Sequence, residues 1–114
     1  MELTPIEEIM YGEMIEAGIE DIADIKPQHW IGKYRVDFLL QPKEKGIKGL
    51  IVECDGRYHL TDEVYKKDQI RERELERQGF RVIRFSGRLL YDFYVRHDRD
   101  DASPIDAIRF YLQN

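Results

Sequence analysis

Ile6, Ile9, Met10, Met14 and Ala17 fall on one stripe at helical spacing, and Gly18 follows them as a stop signal. Thr4, Pro5 and Glu7 open this segment as hydroxyl cap, first-turn proline and third-position acid, the order of a capping box. The periodicity then changes. Residues 26–32 and 33–42 read as two strands joined at Ile31-Gly32 and closed by Pro42. Lys43 to Lys48 form a polar loop, and "GLIVECD" from Gly49 to Asp55 is a third strand. Residues 61–79 return to helical spacing, stop at Gly79 and lead into a fourth strand, "FRVIRF". Gly87 opens a short helical or irregular piece, residues 95–102 are a charged connector, and "SPIDAIRFYLQ" closes the chain as a helix. The order α-β-β-β-α-β-α predicts an α/β (mixed α+β) domain, a central mixed four-stranded sheet flanked by helices. No internal repeat is visible, and residues 1–114 read as one domain with a core over about 4–87 and a C-terminal helix over about 103–113.

The middle helix departs from this pattern. At 100° per residue Val64, Asp68, Arg71, Leu75 and Gln78 share one face, and Val64 and Leu75 are the natural inward residues. Asp68 and Arg71 therefore fall on the buried side, where charged groups are rare unless paired or used. They are three residues apart and can pair with each other, or one of them can tie the helix to the sheet.

Composition narrows the class. Apolar residues make up 42% and charged residues 36%, which suits a globular domain and argues against disorder. No apolar run is long enough to cross a membrane, the acidic N-terminus lacks a signal-peptide pattern, and Cys54 is the single cysteine. A cytoplasmic location and no membrane partner are the expectation. The net charge of −5 is unevenly spread. Residues 1–25 hold eight acids and no Lys or Arg, whereas residues 66–88 hold eight bases against four acids. That permits a phosphate-binding face, and it equally describes a solvated helix with interleaved charge.

The chemistry concentrates in "GLIVECDGRYH", residues 49–59. Glu53 and Asp55 are two apart and point to one face of a strand. If residues 33–42 are the antiparallel neighbour, Asp37 approaches Glu53 and three acids converge at one sheet edge. Such a cluster is resolved by protonating one member or by a divalent cation, and hard oxygen ligands suit Mg²⁺, with Mn²⁺ as a substitute. Three unrelated surface acids are the competing reading. Glu7 has a rival role as well: "TPIEEI" and "SPIDAI" share one local grammar, so Glu7 can be a capping residue and nothing more.

Taken together, "RVDFLL", "IVECDGRYH" and "KKDQIRERELERQGFRVIRFSG" resemble the very-short-patch-repair-like (Vsr-like) endonuclease domains, a branch of the PD-(D/E)XK nuclease superfamily. The resemblance runs from about Thr4 to Gly87. It implies a metal-dependent DNA endonuclease, active in repair, restriction or mobile-element biology. Asp37 and Glu53 would hold the metal with the backbone carbonyl of Cys54, and Glu7 would face the same site. His59 would donate or accept a proton or position the phosphate, its alternative being an ordinary loop histidine. Gly56 would make the turn that returns it. His29 and His97 match nothing. The superfamily usually carries Lys where this chain has Asp55, as the Vsr-like branch commonly does. Water activation then falls to His59, to Lys66 or Lys67, or to a second metal ion bridged by Asp55.

Arg57, Lys66, Lys67 and Arg71 are the candidate nucleic-acid contacts, holding phosphates without reading sequence. Trp30, Tyr34, Phe38, Phe80 and Phe85 lie in predicted strands, at least half of them core, so no stacking platform is expected. The rival to the enzyme is a catalytically silent nuclease-like module that binds nucleic acid or protein. A homodimer or larger nuclease or repair complex is a third reading, with "YDFY" from Tyr91 to Tyr94 as a dimer contact or as core.

Overall fold

A computed structural model describes residues 2–55, 61–99 and 102–113. Helix α1 (Pro5–Glu16) is followed by a 3-10 turn (Ile19–Asp21) and strands β1 (Ala23–Ile31), β2 (Tyr34–Pro42) and β3 (Gly49–Asp55). Helix α2 (Asp62–Arg77), strand β4 (Phe80–Ser86), helix α3 (Gly87–Tyr94) and helix α4 (Pro104–Gln113) complete the chain. The sheet order is β1-β2-β3-β4, with β1–β2 and β2–β3 antiparallel and β3–β4 parallel across the α2 crossover. This is the mixed four-stranded sheet that the sequence predicts. The first strand begins earlier than expected, at Ala23, and Pro27 sits in it without penalty because β1 is an edge strand.

The capping box is present: Thr4 Oγ1 accepts from the Glu7 amide and Glu7 Oε1 accepts from the Thr4 amide. Gly32 and Lys33 make the two-residue hairpin turn between β1 and β2, with Gly32 at φ 59°, a value that favours glycine at the first central position. Gly49 meets a different demand. A Cβ there would lie 2.8 Å from Leu39 Cδ1 and 3.0 Å from Phe80 Cδ1, so any larger residue would require Leu39 or Phe80 to shift.

The sheet separates two cores. On one face Met10, Met14, Ile19, Phe38, Leu40, Leu50, Val52, Leu90 and Ile108 pack together beneath α1, α3 and α4. On the other, Ile31, Val36, Leu39, Ile51, Leu75 and Phe80 form a smaller cluster under α2. Helix α2 anchors there through Leu75 alone, and Val64, expected inward, is 43% exposed. The helical phase is right, but among the described residues the buried cluster under α2 takes in Leu75 and nothing from the N-terminal half of the helix.

Strict alternation would put Val36 and Phe38 on the same face of β2, yet they belong to opposite cores. Ile25 and Ile31 on β1 are divided in the same way. The reversal falls at Gln28 and Asp37: the pairing runs through Pro27–Phe38 and His29–Val36 and skips the pair between them, and Gln28 has φ 47°. Beyond it the hairpin continues as an arm, because β3 pairs only with Phe38, Leu39 and Leu40.

Candidate active site

Asp37 lies at that reversal, one residue past the last β2–β3 partner pair, Phe38 and Val52. Continuing the antiparallel register by one position sets it opposite Glu53. Side chains there replace the ladder. The Asp37 amide donates to Glu53 Oε2 at 3.0 Å, and the Cys54 amide donates to Asp37 Oδ2 at 2.8 Å. Each acid thus accepts from the partner strand, and the two carboxylates expected to meet do meet.

Glu7 joins them from α1. Among the described residues Glu7 and Glu53 are the two buried charged side chains, 6% and 4% exposed, and both are acids. Burial raises the Asp37 carboxyl from 3.8 to about 7; the Cys54 amide opposes the rise, and the charges of Glu53 and Glu7 add to it. The Cys54 thiol responds likewise. Burial first, then Asp37, Glu7, Glu53 and Asp55, push it well above the ordinary thiol range. Glu7 is therefore a capping residue and a member of the acidic cluster at once.

Glu53 has a counter-ion. Arg71 on α2 pairs closely with Glu53 Oε1, and its Nη2 donates to the Arg35 carbonyl at 3.0 Å. The guanidinium also lies 5.9 Å from the Tyr34 ring centre. Of the two pairings open to Arg71, with Asp68 or from helix to sheet, the structure holds the second, a charge-assisted pair with the buried Glu53. Arg71, a candidate phosphate contact, is committed to the acidic cluster in this arrangement.

Asp55 turns toward β4. Arg84, which the sequence reading passed over, donates from Nη1 to Asp55 Oδ2 at 3.2 Å, and its Nε is 3.6 Å from Glu72 Oε2. Burial works against the Arg84 charge, but Asp55, Glu53 and Asp68 outweigh it and hold the group above its ordinary value. Asp55, Tyr65, Asp68, Gln69, Glu72 and Arg84 line an open groove of about 190 Å³ between α2 and β4. The signal for Arg84 was the parallel register, which makes it the Cα partner of Glu53. Lys66 and Lys67 are exposed on the N-terminal half of α2. Gly56, Arg57 and His59 lie outside the described residues.

Residues 7–103 match the model of the REase_MTES_1575 family, a restriction-endonuclease family. The chain belongs to that family. Among solved structures it is similar to the catalytic domain of the homing endonuclease I-Bth0305I, with a TM-score of 0.61 and 22% identity over 97% of this chain and 92% of that one. At that identity the likeness bears on the fold, a restriction-endonuclease-like core. No curated protein matches the chain. Among the described residues, no helix is long and apolar enough to cross a membrane.

In this member of the restriction-endonuclease family, the donor set can be tested against a divalent ion. Among the described residues no group of three or more His, Cys, Asp and Glu side chains is arranged to hold a metal. Mg²⁺ does not require one, since it is commonly held by one or two carboxylates completed by water and phosphate. Asp37 and Glu53 meet that smaller requirement with hard oxygen donors. Burial does most to raise the Asp37 carboxyl, and the charges of Glu53 and Glu7 add to it even with Arg71 paired to Glu53.

Proposed function

We propose that this chain is a Vsr-like, Mg²⁺-dependent endodeoxyribonuclease. The observation that supports it best is the meeting of Asp37, Glu53 and Glu7 at the end of β3, with Asp37 raised to about 7, in a chain of a restriction-endonuclease family. Asp37, Glu53 and the Cys54 carbonyl hold Mg²⁺ or Mn²⁺, and Glu7 stands behind them. Bound there, the ion supplies Lewis-acid charge for the phosphate and for a water. Lys66, Lys67 and Arg57 hold the flanking backbone, and Arg84 adds a cation beside Asp55. His59 is the first candidate for moving the proton. Repair, restriction or mobile-element biology is the setting, as a homodimer or part of a larger nuclease or repair complex.

Labelled single-stranded, duplex, mismatched and branched DNA, incubated with Mg²⁺, Mn²⁺ or EDTA, tests this reading. Cleavage that needs metal and disappears in Asp37→Asn and Glu53→Gln supports it. Undiminished cleavage in both variants sinks it.

One observation favours a second reading, a nuclease-like module that binds without cutting. Arg71 and Arg84 already pair with Glu53 and Asp55, which is how a silent site would balance its acids. Such a module binds DNA equally in EDTA and in Mg²⁺ and cleaves in neither.

A further inference from the structure

The arm of the β1–β2 hairpin beyond Gln28 and Asp37 has a composition unlike the rest of the chain. Residues 25–36 contain Lys26, His29, Lys33 and Arg35 and no Asp or Glu, in a protein of net charge −5. Trp30 is 61% exposed there, and its cross-strand partner is Arg35, also exposed. The sequence reading found no stacking platform because it placed Trp30 in a strand and left it in an aromatic set read as at least half core. The reversed alternation explains the outcome: Ile31, Tyr34 and Val36 take the α2 side of the arm, so Trp30 and Arg35 take the other.

Among the described residues, the side-chain contacts that brace the arm come from α2. Arg71 donates to the Arg35 carbonyl, the Tyr34 hydroxyl donates to Glu74 Oε2, and Lys33 Nζ lies 3.9 Å from the same oxygen. These contacts hold it against α2 and leave the Trp30–Arg35 face open. Arg35 is two residues from Asp37, roughly 7 Å along the strand. An exposed indole beside the exposed Arg35 and next to a cluster of acids fits one ligand chemistry: a base with its face uncovered and a phosphate beside it.

We propose that this arm is a DNA-contact element. Trp30 stacks on an unstacked base beside the cleaved bond, and Arg35 holds a flanking phosphate, so the preferred substrate is single-stranded or locally unpaired. The proposal rests on the nuclease reading above and adds to it the substrate class and the element that selects it.

Trp30 is the chain's single tryptophan, so its emission reports on this face alone. The wild-type protein in EDTA is titrated with a 20-nucleotide single strand, with its full duplex and with a duplex carrying one mismatch. Affinity is followed in parallel by the anisotropy of labelled copies, and cleavage of the same DNAs is assayed in Mg²⁺. The expected result is quenching by single-stranded and mismatched DNA well above that by the full duplex. Trp30→Ala is expected to bind those DNAs about 5- to 150-fold more weakly, the range for loss of one base–aromatic stack. Trp30→Phe retains most of the affinity, and Arg35→Gln lowers the slope of log affinity against log salt by about one. DNA bound with unchanged emission and with full affinity in Trp30→Ala overturns the arm, and metal-dependent wild-type cleavage in the same samples leaves the nuclease standing. Absence of binding and cleavage with every DNA overturns both.

Discussion

The Glu53 carboxylate at the end of β3 is neutralised by Arg71 from α2, and the same guanidinium holds the Arg35 carbonyl of β2. One side chain thus joins a helix to two strands at the acidic cluster. Removing it leaves Glu53 charged, buried and unpaired. Arg71→Met is expected to lower unfolding stability by about 3 kcal/mol, the scale for breaking a buried ion pair from one side. The double variant Arg71→Met with Glu53→Gln recovers part of that loss, because both charges are then gone. Urea unfolding of the four proteins in the cycle measures the coupling.

Asp37 makes stability depend on pH in an unusual direction. Its carboxyl is raised from 3.8 to about 7 by burial and by its neighbours, so the folded protein holds the proton where the unfolded chain has released it. The stabilisation from this group is fully present below about pH 4 and is lost as pH rises through about 7. The difference in stability between wild type and Asp37→Asn, measured in EDTA, is therefore expected to shift against wild type from pH 4 to pH 8. A flat difference would show that Asp37 titrates normally.

For the proposed chemistry, Asp37→Asn and Glu53→Gln each lower the cleavage rate about 100-fold or more, the scale for losing a group that stabilises developing charge. DNA affinity in EDTA changes only a few-fold. A gel assay run beside an anisotropy titration separates the two effects.

Gly49→Ala tests packing far from chemistry. The added methyl meets Leu39 and Phe80 at 2.8 and 3.0 Å, inside normal contact, and overpacking of this kind costs about 1–3 kcal/mol. Thermal unfolding shows it directly, and a variant as stable as wild type would mean that Phe80 rotates away at no cost.

Cys54 is expected to resist alkylation. Thiolate is the reactive form, and burial among four acids keeps the thiol protonated. Iodoacetamide at pH 8 labels it slowly in the folded protein and readily in urea.

The strands, the helices and the meeting of Asp37 with Glu53 were legible because each rests on local periodicity and one nearest-neighbour pairing. Arg71 was legible as a buried charge but not as the partner of Glu53, since helical phase fixes a face and says nothing of which strand residue lies below. Val64 has the right phase, yet lies outside the buried cluster under α2. Arg84 was missed because only the register of β4 against β3 brings it beside the site. Trp30 was missed because it was grouped with strand aromatics read as at least half core, and the arm beyond Gln28 leaves its face uncovered.

That reversal divides the hairpin into two modules with separate rules. In the body, Ile25, Phe38, Leu39 and Leu40 are locked between two cores, and a change of one residue in length would turn apolar side chains to water. In the arm, residues added as cross-strand pairs at the Gly32 turn would lengthen the hairpin and carry its tip farther from Asp37 without disturbing either core. The hairpin could therefore change its reach while Asp37 and Glu53 keep their places, which, on the proposed reading, separates the cutting site from how far along a strand the arm takes hold.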